Sequence, residues 1–349
     1  MVTTYFLGAC SPKGFYSHYD SLLREKLSLT VIKGGSGCGK STFMRAVGKQ
    51  AEQRGLDVSY ILCSSDPSSL DGVVIPELKL AYADGTAPHV LEPKLCGGSM
   101  NYLNFGEFYD SGAMAANEAE IFEAQRLNQA QYPHVTACMA AADRLLESVR
   151  AETSANAYRQ EVEAIAECLA LSLLKPTDAS GAQCKRFLTA VTPEGLHFCR
   201  ETPEALCGRV YVLRDNYQQA PRLLELLSQK AEQMGIGGTV CYSPMLPDER
   251  PSHLLLPEAQ VAIVSESADF PWQSECCCRI DLDSTLPPRL RGELSFVTDT
   301  VTSLYRQAVV HMRQAKRLHD RIELLCRPFV DFRAVEEMTR KTLQSIFGG

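Results

Sequence analysis

Residues Gly34 to Ser41 read GGSGCGKS and fit the pattern G-x-x-x-x-G-K-[ST], a spacing suited to holding a chain of phosphates. A polyphosphate carries several negative charges, and backbone N–H groups can curl around it only where side chains are too small to intervene. Gly34, Gly35, Gly37 and Gly39 permit that curl, with Ser36 and Cys38 between them. Lys40 brings an ammonium to the terminal phosphates, where a charge-assisted hydrogen bond is worth roughly 1.5 to 3 kcal/mol. Ser41 offers its hydroxyl to Mg²⁺, and Thr42 is placed to touch the first phosphate.

A metal ion held this way needs a second oxygen ligand, usually an Asp at the end of a neighbouring strand. Asp84 is the candidate, because it ends the apolar run Leu80, Ala81, Tyr82, Ala83 and is followed by Gly85. Asp-Gly is also a turn signal, so capping is the rival reading. No Glu follows Asp84, so the Asp-Glu pair that resembles the hydrolytic centre of transporter-type ATPases is missing. Asp66 follows the run Ser59 to Cys63, where kinase-like enzymes place an acceptor-binding or base carboxylate. The surrounding SSDPSSLDG reads equally well as a series of turns capped by Asp66 and Asp71. His89 is a candidate sensor of the terminal phosphate, with an ordinary surface group as the alternative.

These residues require a strand to lead into the loop and a helix to leave it. The β-rich run Leu27 to Lys33 enters the loop, and Thr42 to Arg54 leaves it as a helix with Phe43, Met44, Ala46 and Val47 on one face. Further strands are predicted over Thr4 to Ala9, Gly14 to Tyr19, Asp57 to Cys63 and Lys79 to Ala83. Helical regions are predicted over Met114 to Leu174 and Asp299 to Phe347. Strands alternating with helices indicate a parallel sheet.

The chain contains itself twice. FLGACSPKGF at Phe6 to Phe15 returns as FLTAVTPEGL at Phe187 to Leu196. Ala51, Glu52, Gln53 and Gly55 return as Ala231, Glu232, Gln233 and Gly235, and Pro76-Glu77 as Pro257-Glu258. Two units follow, residues 1–180 and 181–349, with the boundary near the turn-rich KPTDASG. A shift of 180 sets Arg214, Gln219, Ala220 and Pro221 opposite Gly34, Gly39, Lys40 and Ser41, and a shift of 181 sets Ser265 opposite Asp84. The second unit therefore loses the ammonium and the metal carboxylate together, and phosphate binding is not expected there. Glu77 recurs in this second unit as Glu258, which points to a shared structural duty. Arg214 or Arg209 reaching across to the first site as a charge-stabilising finger is a further possibility, against a second unit that is only scaffold.

With 349 residues, 45% of them hydrophobic and 22% charged, the chain can bury a sizeable core, which excludes global disorder. Its net charge of -7 gives no general attraction to nucleic acid or anionic membrane. Arg306 to Arg327 is a basic exception, with six Lys or Arg against Asp320 and Glu323; a nucleic-acid or acidic partner there competes with a solvated helix face. Met1 to Cys10 has no basic, apolar leader pattern and no apolar run is long enough to span a bilayer, so a cytoplasmic location without membrane is expected. Fourteen scattered cysteines then read mostly as buried small hydrophobes, and the adjacent Cys276, Cys277 and Cys278 cannot all grip one tetrahedral ion from a strand.

Taken together, FLGACSPKGF, GGSGCGKST and IPELKLAYADGTAPH resemble the uncharacterised bacterial tandem P-loop proteins catalogued simply as ATPases, and the resemblance spans both halves. It implies an α/β fold of two tandem P-loop NTPase-like αβα units with mainly parallel sheets, each followed by a helical region. It also implies ATP binding at the Walker A residues Gly34 to Thr42. The lean to ATP rests on that resemblance and on the absence of an N-K-x-D guanine signature. The expected activity is slow Mg-dependent ATP hydrolysis at one site. The alternatives are a small-molecule kinase in which Asp66 orients the acceptor, and a nucleotide-gated interaction module.

Overall fold

The computed structural model describes residues 1–25, 27–88, 91, 100–178 and 180–348. Its first half runs β1 (Val2–Tyr5), β2 (Gly8–Ser11), β3 (Gly14–Ser17), α1 (Asp20–Arg24), β4 (Ser28–Lys33), α2 (Lys40–Glu52), β5 (Val58–Cys63), β6 (Asp66–Ile75), β7 (Leu80–Asp84) and β8 (Met100–Asn104). Four helices follow: α3 (Ser111–Met114), α4 (Glu118–Gln129), α5 (Tyr132–Thr153) and α6 (Asn156–Leu173). The second half repeats the plan as β9 (Gln183–Arg186), β10 (Thr189–Thr192), β11 (Gly195–Phe198), α7 (Glu201–Leu206), β12 (Arg209–Arg214), α8 (Ala220–Gln233), β13 (Gly238–Ser243), β14 (Leu246–Leu256), β15 (Val261–Glu266) and β16 (Cys278–Asp281). It ends in α9 (Pro288–Cys326) and α10 (Phe332–Phe347).

Two six-stranded sheets result, ordered β1-β5-β6-β7-β4-β8 and β9-β13-β14-β15-β12-β16, so every strand of the second occupies the place of its counterpart in the first. Each sheet is mixed. β4 lies parallel to β7 and β8, and β1 parallel to β5, but β6 runs antiparallel to both neighbours, as β14 does in the second sheet. Much of SSDPSSLDG thus belongs to a strand, correcting the reading of it as turns alone. The polar start of β6 misled because it is irregular, with register shifts between Ile61, Leu62 and Cys63 of its partner, while Leu70 to Ile75 form a buried run. The predicted strand Thr4 to Ala9 is divided between β1, in the main sheet, and β2, in a hairpin with β3. Glu77 and Glu258 perform the same local task, accepting the N–H of Asp57 and of Gly237 at the starts of β5 and β13.

The seam between halves is built from equivalent residues. Phe6 and Phe187 exchange N–H···O=C bonds of 2.9 Å each, and both side chains are fully buried in a core that draws on the two sheets. Across the same seam the buried Arg186 guanidinium pairs with Glu25 and donates to Ser21. The terminal helices are exchanged. From the first half, α6 buries Val162, Ala166 and Leu169 against α8 of the second, whereas α10 lays Val335, Met338 and Leu343 on the first half's core around α2. Between them α9 runs along α4 and α5. Among the described residues no helix is long and apolar enough to cross a membrane.

Candidate functional site

The loop between β4 and α2 lies at the carboxyl end of β4, where ligands of open α/β sheets gather. Val31 and Ile32 anchor the strand in the core; Phe43, Met44, Val47 and Ala51 anchor the helix, so the loop between them is fixed at both ends. Gly37 and Gly39 adopt φ of +75° and +95°, values that penalise any side chain. At Gly34 and Gly35 the need is closeness: an added Cβ would lie 2.8 Å from Phe105 Cβ in one case and 2.9 Å from the Tyr109 hydroxyl in the other. Two of the four glycines therefore serve conformation and two serve packing against residues 105–109. Cys38 is buried beneath the loop, its Sγ 3.1 Å from the Gly35 carbonyl, and burial pushes its thiol pKa up.

Helix α2 starts at Gly39, which has no side chain to cap it. The Lys40 N–H is directed at the Cys38 sulfur, but among the described residues nothing accepts the N–H groups of Ser41 and Thr42, first-turn donors that an anion would satisfy. The Lys40 ammonium donates to the carbonyls of Gly34 at 3.0 Å and Gly35 at 2.8 Å, and stands 3.5 Å from Asp84 Oδ2. The structure thus brings Lys40 and Asp84 together across adjacent parallel strands. The other Asp84 oxygen accepts the Thr86 N–H at 2.8 Å and its hydroxyl, so the turn reading holds as well. Ser41 Oγ accepts the Leu70 N–H at 2.9 Å, which leaves its own proton and one lone pair free to engage elsewhere. Thr42 is exposed.

Asp66 is not brought to the loop. Its Oδ1 accepts from the Ser68 N–H and hydroxyl, its Oδ2 lies 3.3 Å from Lys316 of α9, and it lines a separate cavity of about 230 Å³ with Arg313, Lys316 and Arg317. His89 lies outside the described residues. Arg214 stays in its own half, 3.6 Å from Asp283 and 3.9 Å from Asp281, and Arg209 donates to the Ala259 carbonyl, so neither reaches the first loop. On the basic stretch of α9, Arg321 pairs with Glu120, Lys316 with Asp66 and Asp320, and Arg313 donates to the Pro193 carbonyl. Much of its charge is answered within the molecule. Cys276 and Cys277 precede the edge strand β16, which Cys278 begins; all three thiols are free.

Three contacts on the loop carry no local signal in the sequence, because they come from far along the chain. The Tyr109 hydroxyl donates to the Ser36 carbonyl at 2.7 Å. Glu323 of α9 lies over Gly37 and Val335 of α10 over Gly39: a Cβ added at these glycines would stand 3.3 Å from Glu323 Cβ and 3.4 Å from Val335 Cγ1. A hydrogen bond from His319, with Lys316 and Lys40 nearby, holds the Glu323 carboxyl below its usual range.

The second half gives the same helix start a different ending. Strand β12 aligns Arg214 with Lys33, so the residue missing from the second copy is lost inside the loop, residues 215–219 against 34–39, one position later than the helix alignment implied. Asp215 then stands where Gly34 does. It accepts the N–H groups of Tyr217, Gln219 and Ala220 at 3.3, 2.9 and 2.8 Å, so the protein's own carboxylate fills the anion cradle. Preference of Asp for helix N-terminal N–H groups was the available signal for this. Burial pushes its pKa up to about 6 while the three donors pull it back, so it is ionised at neutral pH.

Because an unfolded Asp titrates near about 3.9, the native state takes this proton more readily. The stabilisation from that difference is complete below the unfolded value and is lost as pH rises to about 6. Urea unfolding at several pH values should show Asp215→Asn lacking that part of the decline, a difference on the order of 2–3 kcal/mol between pH 4 and 7. Compared with family models, curated proteins and solved structures, the chain matches none.

Proposed function

We propose that this chain is a Mg-dependent ATP-binding protein of the P-loop NTPase type, with one competent site at Gly34 to Thr42 and slow hydrolysis there. The observation that carries the reading is the asymmetry between two equivalent helix starts: the second is neutralised by Asp215, while the first keeps the N–H groups of Ser41 and Thr42 uncapped beside the Lys40 ammonium. The residues fit a phosphate chain. N–H groups of Lys40, Ser41 and Thr42 would take phosphate oxygens, and the Lys40 ammonium, now on two loop carbonyls, would transfer to them. Ser41 and Asp84 would hold Mg²⁺, which supplies charge neutralisation on the phosphate oxygens. The preference for ATP comes from the resemblance to the tandem P-loop ATPases.

Calorimetric titration with Mg·ATP, followed by a phosphate-release assay, tests this: saturable binding with steady release supports it, and no binding of any nucleotide overturns it. Asp84→Asn separates the metal from the nucleotide. Mg·ATP should bind about tenfold more weakly to this variant, with metal-free ATP little changed. A nucleotide-gated module is the second reading, favoured by Glu323 and Val335 resting on Gly37 and Gly39, since a filled loop would press on both helices. Binding without turnover supports it. The kinase reading gains nothing from Asp66, whose carboxylate is already engaged by Ser68 and Lys316.

A further inference from the structure

Strands β6 and β14 carry the same irregularity. Ile61 pairs with Gly72 and Leu62 with Leu70, while Cys241 pairs with His253 and Tyr242 with Pro251, so Asp71 and Ser252 are the extra residues of equivalent bulges. On the other side of each strand Gly72 faces Ala83 where His253 faces Val264. One position further along, Asp71 stands opposite Asp84 in the first half and Ser252 opposite Ser265 in the second. In the second half Ser252, Ser265 and Pro221, the counterpart of Ser41, line one cleft with Asp215 of the rebuilt loop. The same positions in the first half gather Asp71, Asp84 and Ser41 at the glycine-rich loop. Two contacts agree with this. The Leu70 N–H, one residue before Asp71, donates to Ser41 Oγ at 2.9 Å. Burial, then the charges of Asp71 and Asp84 together, push up the pKa of the Tyr19 hydroxyl, which donates to the Asp71 carbonyl at 3.3 Å.

Asp71 is 5% exposed, and burying a carboxylate opposite a second one is costly. The fold does not ask for it. The second half builds the same bulge around a serine, whose hydroxyl donates to the Cys241 carbonyl at 3.2 Å, and that is the half in which the counterparts of Lys40 and Asp84 are gone. The carboxylate therefore goes with the phosphate site and not with the strand geometry. A hydrogen bond from the Cys63 thiol, whose pKa burial and the Asp71 charge push up, orients it. Gly85 follows Asp84, so β7 offers no second carboxylate of its own, and β6 supplies one from the side.

We infer that Asp71 is the catalytic base of the proposed hydrolysis, a role that rests on nucleotide binding at Gly34 to Thr42. Its carboxylate takes one proton from the attacking water as the water oxygen bonds to the terminal phosphorus. The bond from that phosphorus to its bridging oxygen breaks, ADP leaves with the electron pair, and the proton passes from Asp71 to solvent. Asp84 then serves binding and Asp71 serves the chemical step, which separates the two carboxylates by experiment.

Single-turnover phosphate release from Mg·ATP, read beside calorimetric binding of Mg·ATP to the full chain, tests the assignment. Asp71→Asn keeps the side-chain shape and an acceptor for Cys63. It should bind Mg·ATP as the wild type does while releasing phosphate at least about a hundredfold more slowly. Asp71→Ser, which installs the residue of the second half, should show the same split and keeps the test open if the first variant folds poorly. Asp84→Asn should show the opposite split, with affinity lost. Phosphate release unchanged by either Asp71 variant, a loss of affinity that accounts for the slower release, or a wild type that binds without turnover overturns the assignment and leaves the nucleotide site standing. A wild type that binds no nucleotide overturns the nucleotide reading itself, a result distinct from each of these.

Discussion

If the proposed site binds Mg·ATP, replacing Lys40 by alanine should remove about half or more of the stabilisation that the nucleotide gives the wild-type chain. A ligand at about 100 times its dissociation constant adds roughly 2.7 kcal/mol to the folded state. Lys40 is the single ammonium placed by the loop, held by the Gly34 and Gly35 carbonyls and by Asp84. Losing its charge-assisted bonds costs about 1.5 to 3 kcal/mol of binding. The affinity then falls roughly ten- to a hundredfold, and the same nucleotide concentration leaves only about 0.4 to 1.4 kcal/mol of stabilisation. The unliganded variant should unfold close to the wild type, because the ammonium's bonds are to partly solvated groups. Melting temperatures across a nucleotide series check both statements, and an equal shift in the two proteins would remove Lys40 from the site.

Phe187→Ala should destabilise the whole molecule by about 3–5 kcal/mol, the range for emptying an aromatic core site. Its ring is fully buried at the seam, where its backbone exchanges two hydrogen bonds with Phe6, and the apolar cluster around it includes Leu29, Val31 and Ala83 of one sheet with Val212, Ala262 and Val264 of the other. Both halves should weaken together. Urea unfolding followed by far-ultraviolet circular dichroism and by the fluorescence of Trp272 in the second half checks this. A loss below about 1 kcal/mol, typical of surface changes, would show that the seam is not a shared core.

What the sequence made legible was local or repeated. The loop and its flanking strand and helix follow from glycine spacing and apolar patterning, and the repeat anticipates two sheets with one strand order. The reading failed where an element's identity depends on neighbours. β6 begins with Asp-Pro-Ser-Ser, residues of turns, and is a strand because β5 and β7 hold it on both sides. β8 is a short edge strand, half exposed, with no alternation strong enough to declare it. Glu323 and Val335 reach the loop only because α9 and α10 return from the other half, a packing choice that no spacing encodes. Asp84 stands beside Lys40 because its position is set by one strand, whereas Asp66 stands beside Lys316 because its surroundings are set by α9.

The exchange of terminal helices carries a consequence for the order of events at the ribosome. The last strand of the first sheet is complete at Asn104, yet the cover for its outer core, Val335 to Phe347, comes more than 200 residues later in the chain. At about 5–20 residues per second that sheet waits on the order of ten to fifty seconds with an apolar face bare. A chain truncated before α10 therefore leaves the apolar face around α2 uncovered even when every residue of the glycine-rich loop is present.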